Sequence, residues 1–335
     1  MKTVVIALLL LLSASLLSIL AISQQVSLAL TQTAQITKPE TLHLKSGTAV
    51  YNLFGQLDSG GIYTNSVWLK IAIRFNPDLG NVKAGHYEIL PNMSLSALLD
   101  NMVRADEKQI LVSLVEGLTL SQWMIQLNNT PFLTSPLSHS ELIEWSKSKQ
   151  IQGGTFEGWL LADSYAVTYG TPVIDVLERA HLAMQKELAK LWANRSIELP
   201  YRSEYEALIL ASIIEKETGV PSERPHIAGV FVNRLNANMR LQTDPTVIYG
   251  IGDDFDGNLT RKHLRTPTDY NTYVIKGLPP TPIAMTSRAS LFAAFNPLLT
   301  DDFYFVAKGD GTHYFSATLE QHNRAVREYQ LGLKE

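Results

Sequence analysis

The 335-residue sequence contains no cysteine. That excludes a disulfide scaffold, a thiolate zinc site and a cysteine nucleophile. It does not decide the redox compartment, because an exported chain can simply lack cysteine. Charge of either sign is modest: 28 Lys+Arg against 32 Asp+Glu leave a formal net charge of -4. So mild an acidity excludes a strongly basic nucleic-acid binder. P-loop, complete Gly-x-Gly-x-x-Gly, Gly-x-Ser-x-Gly and His-Glu-x-x-His motifs are missing, and no two histidines stand three or four residues apart. Nothing therefore signals a phosphate cradle, a serine-hydrolase elbow or a metal centre. No metal and no cofactor is expected.

What is present is an ordinary globular composition, with 45% hydrophobic and 18% charged residues. The length suits about two domains. One segment departs from the average. Val4 to Ile22 is apolar apart from Ser13, Ser15 and Ser18, with no charge, Pro or Gly. As a helix it reaches about 28 Å, close to the hydrocarbon thickness of a bilayer. Lys2 precedes it, and no charge follows before Lys38. This is the pattern of a membrane-targeting helix with its positive end in the cytoplasm. A cleaved signal has a shorter apolar core, roughly 7–15 residues. Retention as an anchor is thus favoured, although Ala21-Ile22-Ser23 offers small residues at the spacing of a cleavage site.

The remainder divides by pattern. Residues 1–23 form the anchor, 24–39 a polar linker, 40–105 a small module and 106–335 a larger domain. Strands are expected at Thr41–Leu44, Gly85–Leu90 and Gln109–Val115. Helices are expected at Ser66–Phe75, Leu95–Val103, Leu120–Leu127 and Pro172–Asn194. The last carries an apolar stripe through Val176, Ala180, Met184 and Leu188. Ser203-x-x-Glu206 reads as a capping box opening a helix through Ala207–Gly219, with Gly219 as its C-cap. Further helices are expected over Glu223–Asn238 and Leu319–Leu333. The fold class is α+β.

The chemically odd residue is Glu215. It follows an apolar run, Ala207 to Ile214, broken only by Ser212. A carboxylate at the end of a buried helix risks desolvation, which favours its neutral form and suits a general acid. The structural alternative is pairing with Arg224 or Arg234, or exposure beside Lys216. Downstream, Leu241–Gly250 and Tyr270–Ile283 are dense in Gln, Thr, Asn, Tyr and Pro. Neutral donors, acceptors and aromatic faces are what a sugar site needs. A polar loop with structural turns has the same composition. Asp244, before Pro245, either caps a helix start or serves as a second carboxylate.

The stretches ASIIEKETG (Ala211–Gly219), AGVFVNRL (Ala228–Leu235), LQTDPTVIYG (Leu241–Gly250) and YNTYVIKGLPPTPI (Tyr270–Ile283) resemble the YceG-like family of endolytic murein transglycosylases. KAGHYEI (Lys83–Ile89), LVEGLTL (Leu114–Leu120) and Phe303–Asn323 extend the resemblance over nearly the whole chain. It implies cleavage of the MurNAc–GlcNAc β-1,4 bond inside nascent glycan strands, with a 1,6-anhydro end and no water consumed. It also implies a catalytic Glu215, a LysM-like module over 40–105, and residence on the bacterial inner membrane with the bulk of the chain outside the cytoplasm. Glycan-polymerising synthases and penicillin-binding proteins are the implied partners beside the glycan itself. An intramolecular attack by the MurNAc 6-hydroxyl needs only one acid, whereas hydrolysis uses two carboxylates. Asn233, Gln242, Thr243, Asp244, Tyr270, Asn271 and Tyr273 are the candidate substrate-binding residues, and Glu217 or Asp244 the candidates for tuning the site. Asn233 fits equally as a loop brace, and His313 reads more readily as structural. The alternatives are a non-catalytic wall-binding scaffold and a hydrolase with Asp244 as the second carboxylate. Ala162 departs from the family, which has Pro at that place.

Overall fold

The computed structural model describes residues 2–64, 66–195 and 198–333. Its elements divide into two compact units: residues up to Ile110 with Val167–Tyr169, and Leu111–Ala166 with Gly170 onward. Helices and short strands mix throughout, so the architecture is α+β.

The first unit begins with helix α1 (Lys2–Thr31), long and apolar enough to cross a membrane. Its apolar window is wholly exposed, as expected of a surface made for lipid rather than for a protein core. The helix continues beyond residue 23, because Gln24–Thr31 contain no breaker. Its end joins the unit's core: Ala29 and Ala34 are buried. Gln32 Nε2 donates to Thr64 O (2.8 Å) and Leu95 N donates to Gln32 O (3.0 Å). The segment expected to be a polar linker is therefore packed and hydrogen-bonded over Ala29–Gln35.

Strand β1 (Glu40–Leu44) pairs antiparallel with β2 (Gly85–Ile89), and helices α2 (Val50–Ser59) and α3 (Ser66–Phe75) lie between them in sequence. Helix α4 (Leu95–Arg104) follows, capped by Ser94, whose hydroxyl accepts from Ala97 N. Leu53, Phe54, Leu57, Leu69, Tyr87, Ile89, Leu98 and Met102 close one core.

The second unit runs through β3 (Ile110–Ser113), α5 (Leu120–Asn128), β4 (Leu133–Thr134), α6 (His139–Ser148), β5 (Ser164–Val167) and β6 (Thr171–Pro172). β3 pairs with β5, and β4 runs parallel to β6. Helix α7 (Val173–Ala193) buries the stripe Val176, Leu177, Ala180, Met184 and Leu188. Helix α8 (Glu204–Glu217) is buried at Tyr205 and from Ala207 to Glu215, with no polar face over that run. Such a helix must be surrounded. Helix α9 (Arg224–Asn236) and helix α12 (Arg288–Phe295) pack against it, sharing a core of Leu208, Ile213, Phe231, Leu291 and Phe295.

Four details differ from the sequence expectation. The capping box of α8 is half formed: Ser203 Oγ accepts from Glu206 N, but the Glu206 carboxylate accepts from Arg202 N instead of Ser203 N. The helix ends at Glu217 rather than running to Gly219. Thr218 leaves it in an extended conformation, and its hydroxyl accepts from Val220 N (3.0 Å), which turns the chain at once. Between α9 and α12 the chain forms α10 (Asp244–Ile251) and α11 (Arg261–Arg265), both too short to show a helical period in sequence. Strands β7 (Tyr304–Ala307) and β8 (His313–Ser316) form an antiparallel hairpin. The final helix, α13 (Leu319–Tyr329), stops short of Leu333.

Gly229 shows how tightly α9 is approached. A Cβ there would lie 2.3 Å from Leu298 O. The same loop is hung on α9 by Leu298 N donating to Pro225 O (2.8 Å). Only glycine leaves room for that carbonyl.

Candidate functional site

The end of α8 carries Glu215-Lys216-Glu217, and the three side chains go three ways. Lys216 points outward and donates to Gly117 O (2.9 Å). Glu215 is buried, with its side chain 3% exposed. Its Oε2 accepts from Ser287 N (2.8 Å) and Ser287 Oγ (2.5 Å), the N-cap residue of α12. Its Oε1 faces Arg224 Nη2 at 3.4 Å. Every direction from this carboxylate meets a strut: it ties α8 to the start of α12 and neutralises a buried guanidinium.

Glu217 faces a cleft of about 510 Å³ together with Arg234, Gln242, Thr243, Asp244, Tyr273, Tyr304 and His313. Glu215 is absent from that lining. The Glu217 carboxyl is pushed up from the usual carboxylate range to about 7. Burial is the main cause, and the negative charge of Asp244 adds to it. A hydrogen bond donated by Thr243 Oγ1, and the proximity of His313 and Arg234, act the other way. The net effect is a carboxylic acid that keeps its proton close to neutral pH.

The walls follow from local sequence. Gln242 takes a left-handed conformation (φ 51°), a strained setting for a residue with a Cβ, and it projects at the cleft. Thr243 is the N-cap of α10, and its N–H donates to Thr272 Oγ1 (3.1 Å). Thr246 Oγ1 donates to Thr243 O (2.8 Å) and lies 2.8 Å from Thr272 Oγ1. This buried threonine cluster holds Thr243 against Glu217. Tyr273 donates to Asp244 Oδ1 (2.7 Å); burial and that carboxylate push its phenol up. Arg234 anchors the other side through Phe303 O (2.6 Å) and Leu241 O (2.6 Å).

Of the residues expected from sequence, the cleft gathers Glu217, Gln242, Thr243, Asp244 and Tyr273. It does not gather Asn233, Tyr270 or Asn271. Asn233 Nδ2 donates to Thr300 O (2.7 Å) and Asp302 O (2.9 Å), so it is the loop brace. Asn271 is fully buried and donates to His263 O and Thr266 O while accepting from Tyr273 N. Tyr270 bonds the Thr281 hydroxyl (2.8 Å) and packs on Tyr249. Sequence reasoning missed Arg234, Tyr304 and His322 as cleft residues. The Arg of AGVFVNRL was a visible signal; the hairpin residues had none, because only the fold brings β7 and β8 to α8.

A further buried carboxylate lies elsewhere in this unit. Glu157 accepts from Leu120 N (3.1 Å) and Tyr249 Oη (3.3 Å), and burial pushes it up to about 7 against those hydrogen bonds. Among the described residues, no group of three or more His, Asp or Glu is placed to hold a metal ion.

A largely helical unit thus sets a carboxyl with a raised affinity for its proton on the wall of an open polar cleft. The chain belongs to the YceG-like family, whose family model matches residues 42–328. Over 127 residues, 38% of this chain and 35% of the relative, it is 44% identical to a Bacillus subtilis (strain 168) protein named endolytic murein transglycosylase. Over 329 residues, 88% of this chain and 59% of the relative, it is 25% identical to a protein of that name from Streptococcus pneumoniae serotype 2 (strain D39 / NCTC 7466). This chain thus spans only part of either relative's length. The crystal structure of a yceG-like protein from Listeria monocytogenes superposes with a TM-score of 0.50 and 27% identity, over 86% of this chain and 99% of that one.

Proposed function

We propose that this protein is a peptidoglycan lytic transglycosylase that cuts inside glycan strands and leaves 1,6-anhydro-MurNAc ends. The observation that carries the reading is the Glu217 carboxyl, raised to about 7 on the wall of a polar cleft. The names of the two curated relatives agree with it. Protonated Glu217 gives its proton to the glycosidic oxygen that leaves from MurNAc C1, and the MurNAc 6-hydroxyl closes onto that carbon. A tethered hydroxyl gains the high effective molarity of an intramolecular attack, so no water has to be positioned. Gln242, Thr243 and Tyr273 orient the sugars, and Asp244 tunes Glu217. In this reading the acid is Glu217, which the sequence offered only for tuning, and Glu215, which the sequence offered as the acid, is the strut behind it. Asn233, Tyr270 and Asn271 support the loops that carry the cleft.

Helix α1 serves as a retained single-pass anchor, holding the bulk of the chain outside the cytoplasm where new strands emerge. Residues 40–105 serve as a LysM-like glycan-binding module, and glycan-polymerising synthases and penicillin-binding proteins work alongside. The support for a retained anchor is physical: its last turn is part of a folded core through Ala29.

Mass spectrometry of muropeptides after digestion tests the proposal. Wild-type protein yields anhydro ends, and Glu217→Gln yields none while melting normally. Activity retained by Glu217→Gln sinks the assignment. One observation favours a second reading, hydrolysis: Asp244 is a second carboxylate on the same cleft. The same spectra separate the two, since a hydrolysed end is one water heavier.

A further inference from the structure

The 6-hydroxyl that closes the anhydro ring must lose a proton while Glu217 is delivering its own to the leaving oxygen. A second group on the cleft is built to take it. His313 lies at the start of β8, with its side chain 12% exposed, and lines the cleft with Glu217. One carboxylate holds it twice: His313 N donates to Glu223 Oε1 (2.8 Å), and ring Nδ1 lies 2.8 Å from Glu223 Oε2. Phe305 meets the ring edge-on at a centroid distance of 5.4 Å. Nε2 has no hydrogen-bond partner among the described residues.

The tautomer follows from the partner. Burial alone would raise Glu223, but the bonds from His313 and Thr218 outweigh it and hold the carboxyl below its usual range. An ionised carboxylate only accepts, so Nδ1 carries a proton, and in the ring's neutral form Nε2 is the acceptor. The same carboxylate also reaches the residue next to the acid. Thr218, the residue after Glu217, donates to the same Glu223 oxygen (3.3 Å). Thr218, Glu223 and His313 thus form one clamp beside the acid. A histidine kept only for structure would need no open nitrogen at the cleft.

We propose that His313 Nε2 is the general base that accepts the proton of the attacking 6-hydroxyl, with Glu223 fixing the ring. This rests on the transglycosylase reading and divides between two residues the acid and base work that one Glu could do alone. The O6–C1 bond forms and the C1–O4 bond breaks. Glu217 passes its proton to O4, and the O6 proton goes to Nε2. The resulting imidazolium stays paired with Glu223 until solvent takes its proton and returns one to Glu217.

The test uses the full-length protein in detergent and peptidoglycan glycan strands. In His313→Asn the amide nitrogen replaces Nδ1 on Glu223, and nothing replaces Nε2. The expected result is a loss of about 10²–10⁴-fold in anhydro-end formation, with melting and strand binding unchanged. A purely structural histidine predicts the opposite, and an Asn variant with wild-type turnover overturns the proposal. Should the Asn variant not fold, the crystal structure of Glu217→Gln with a bound strand decides. A MurNAc 6-hydroxyl at hydrogen-bond distance from Nε2 supports the base, and one out of its reach overturns it. Glu217→Gln, assayed in parallel, reports separately on the acid: activity there removes the reading of Glu217 without touching the result for His313.

Discussion

Glu215 and Glu217 stand two residues apart on α8, and their carboxylates leave the helix on opposite sides. Two positions on an α-helix are separated by roughly 200°. One carboxylate therefore meets Ser287 and Arg224 in the core, and the other meets Thr243 and the cleft. The same side-chain chemistry becomes a strut in one place and the proposed acid in the other.

This division predicts unequal stability effects. Glu215→Ala removes the acceptor of two Ser287 hydrogen bonds and leaves Arg224 buried without its only charged partner among the described residues, a loss of about 3–5 kcal/mol. Glu217→Ala should be far milder, because burial already disfavours its charged form. Urea denaturation of both variants checks it. A Glu217 variant that is the less stable of the two contradicts the division.

Activity should depend on pH through the acid. With Glu217 at about 7, its protonated form is depleted as pH rises through that value, so turnover falls on the alkaline side. Thr243→Val deletes a donor that favours the charged form. Its removal raises Glu217 further and moves the alkaline limb to higher pH. The kcat–pH profiles of the two proteins measure the displacement.

Glu157 makes a separate prediction about stability. Its folded value of about 7 lies above the ordinary 4.5, so between those values the folded state keeps a proton that the unfolded state releases. Stability therefore falls as pH rises through this window, by an amount on the order of 1–3 kcal/mol for one buried group. Glu157→Gln abolishes that share of the slope. Unfolding free energies at pH 5 and pH 8 should show the variant gaining on wild type at the higher pH. Equal differences at both pH values rule the effect out.

Gly229→Ala should destabilise the second unit by about 1–3 kcal/mol, because the new methyl collides with the Leu298 carbonyl. The thermal melting temperature drops, and strand binding measured below it is retained.

Truncation separates the two parts of α1. Removing residues 2–22 should release the protein from membranes in a fractionation experiment while preserving its melting curve. Removing residues 2–31 should also unfold the first unit, because Ala29 is part of that core.

Much of this was legible along the chain. The apolar run before Gln24, the stripe of α7, the all-round burial of α8 and the extent of α3 all follow from local pattern, because each depends on neighbours in sequence. Glu217, Gln242, Thr243, Asp244 and Tyr273 could be nominated from residue type. What local pattern could not supply was direction. Asn233 and Asn271 have the chemistry of sugar ligands, but their amides are consumed by backbone carbonyls of loops distant in sequence or in turn geometry.

By itself the sequence determined the α+β class, the membrane-length helix, the family and the short stretch that carries the proposed acid. The tertiary structure decided which carboxylate of Glu215-Lys216-Glu217 reaches the cleft. It also brought His313 and Glu223 beside that carboxylate from 90 residues apart. The physical reason is the same for both. A side chain's chemistry travels with its residue, but its ionisation and reach depend on desolvation and partners, and those are assembled only when α8, α10, α12 and the β7–β8 hairpin close around it.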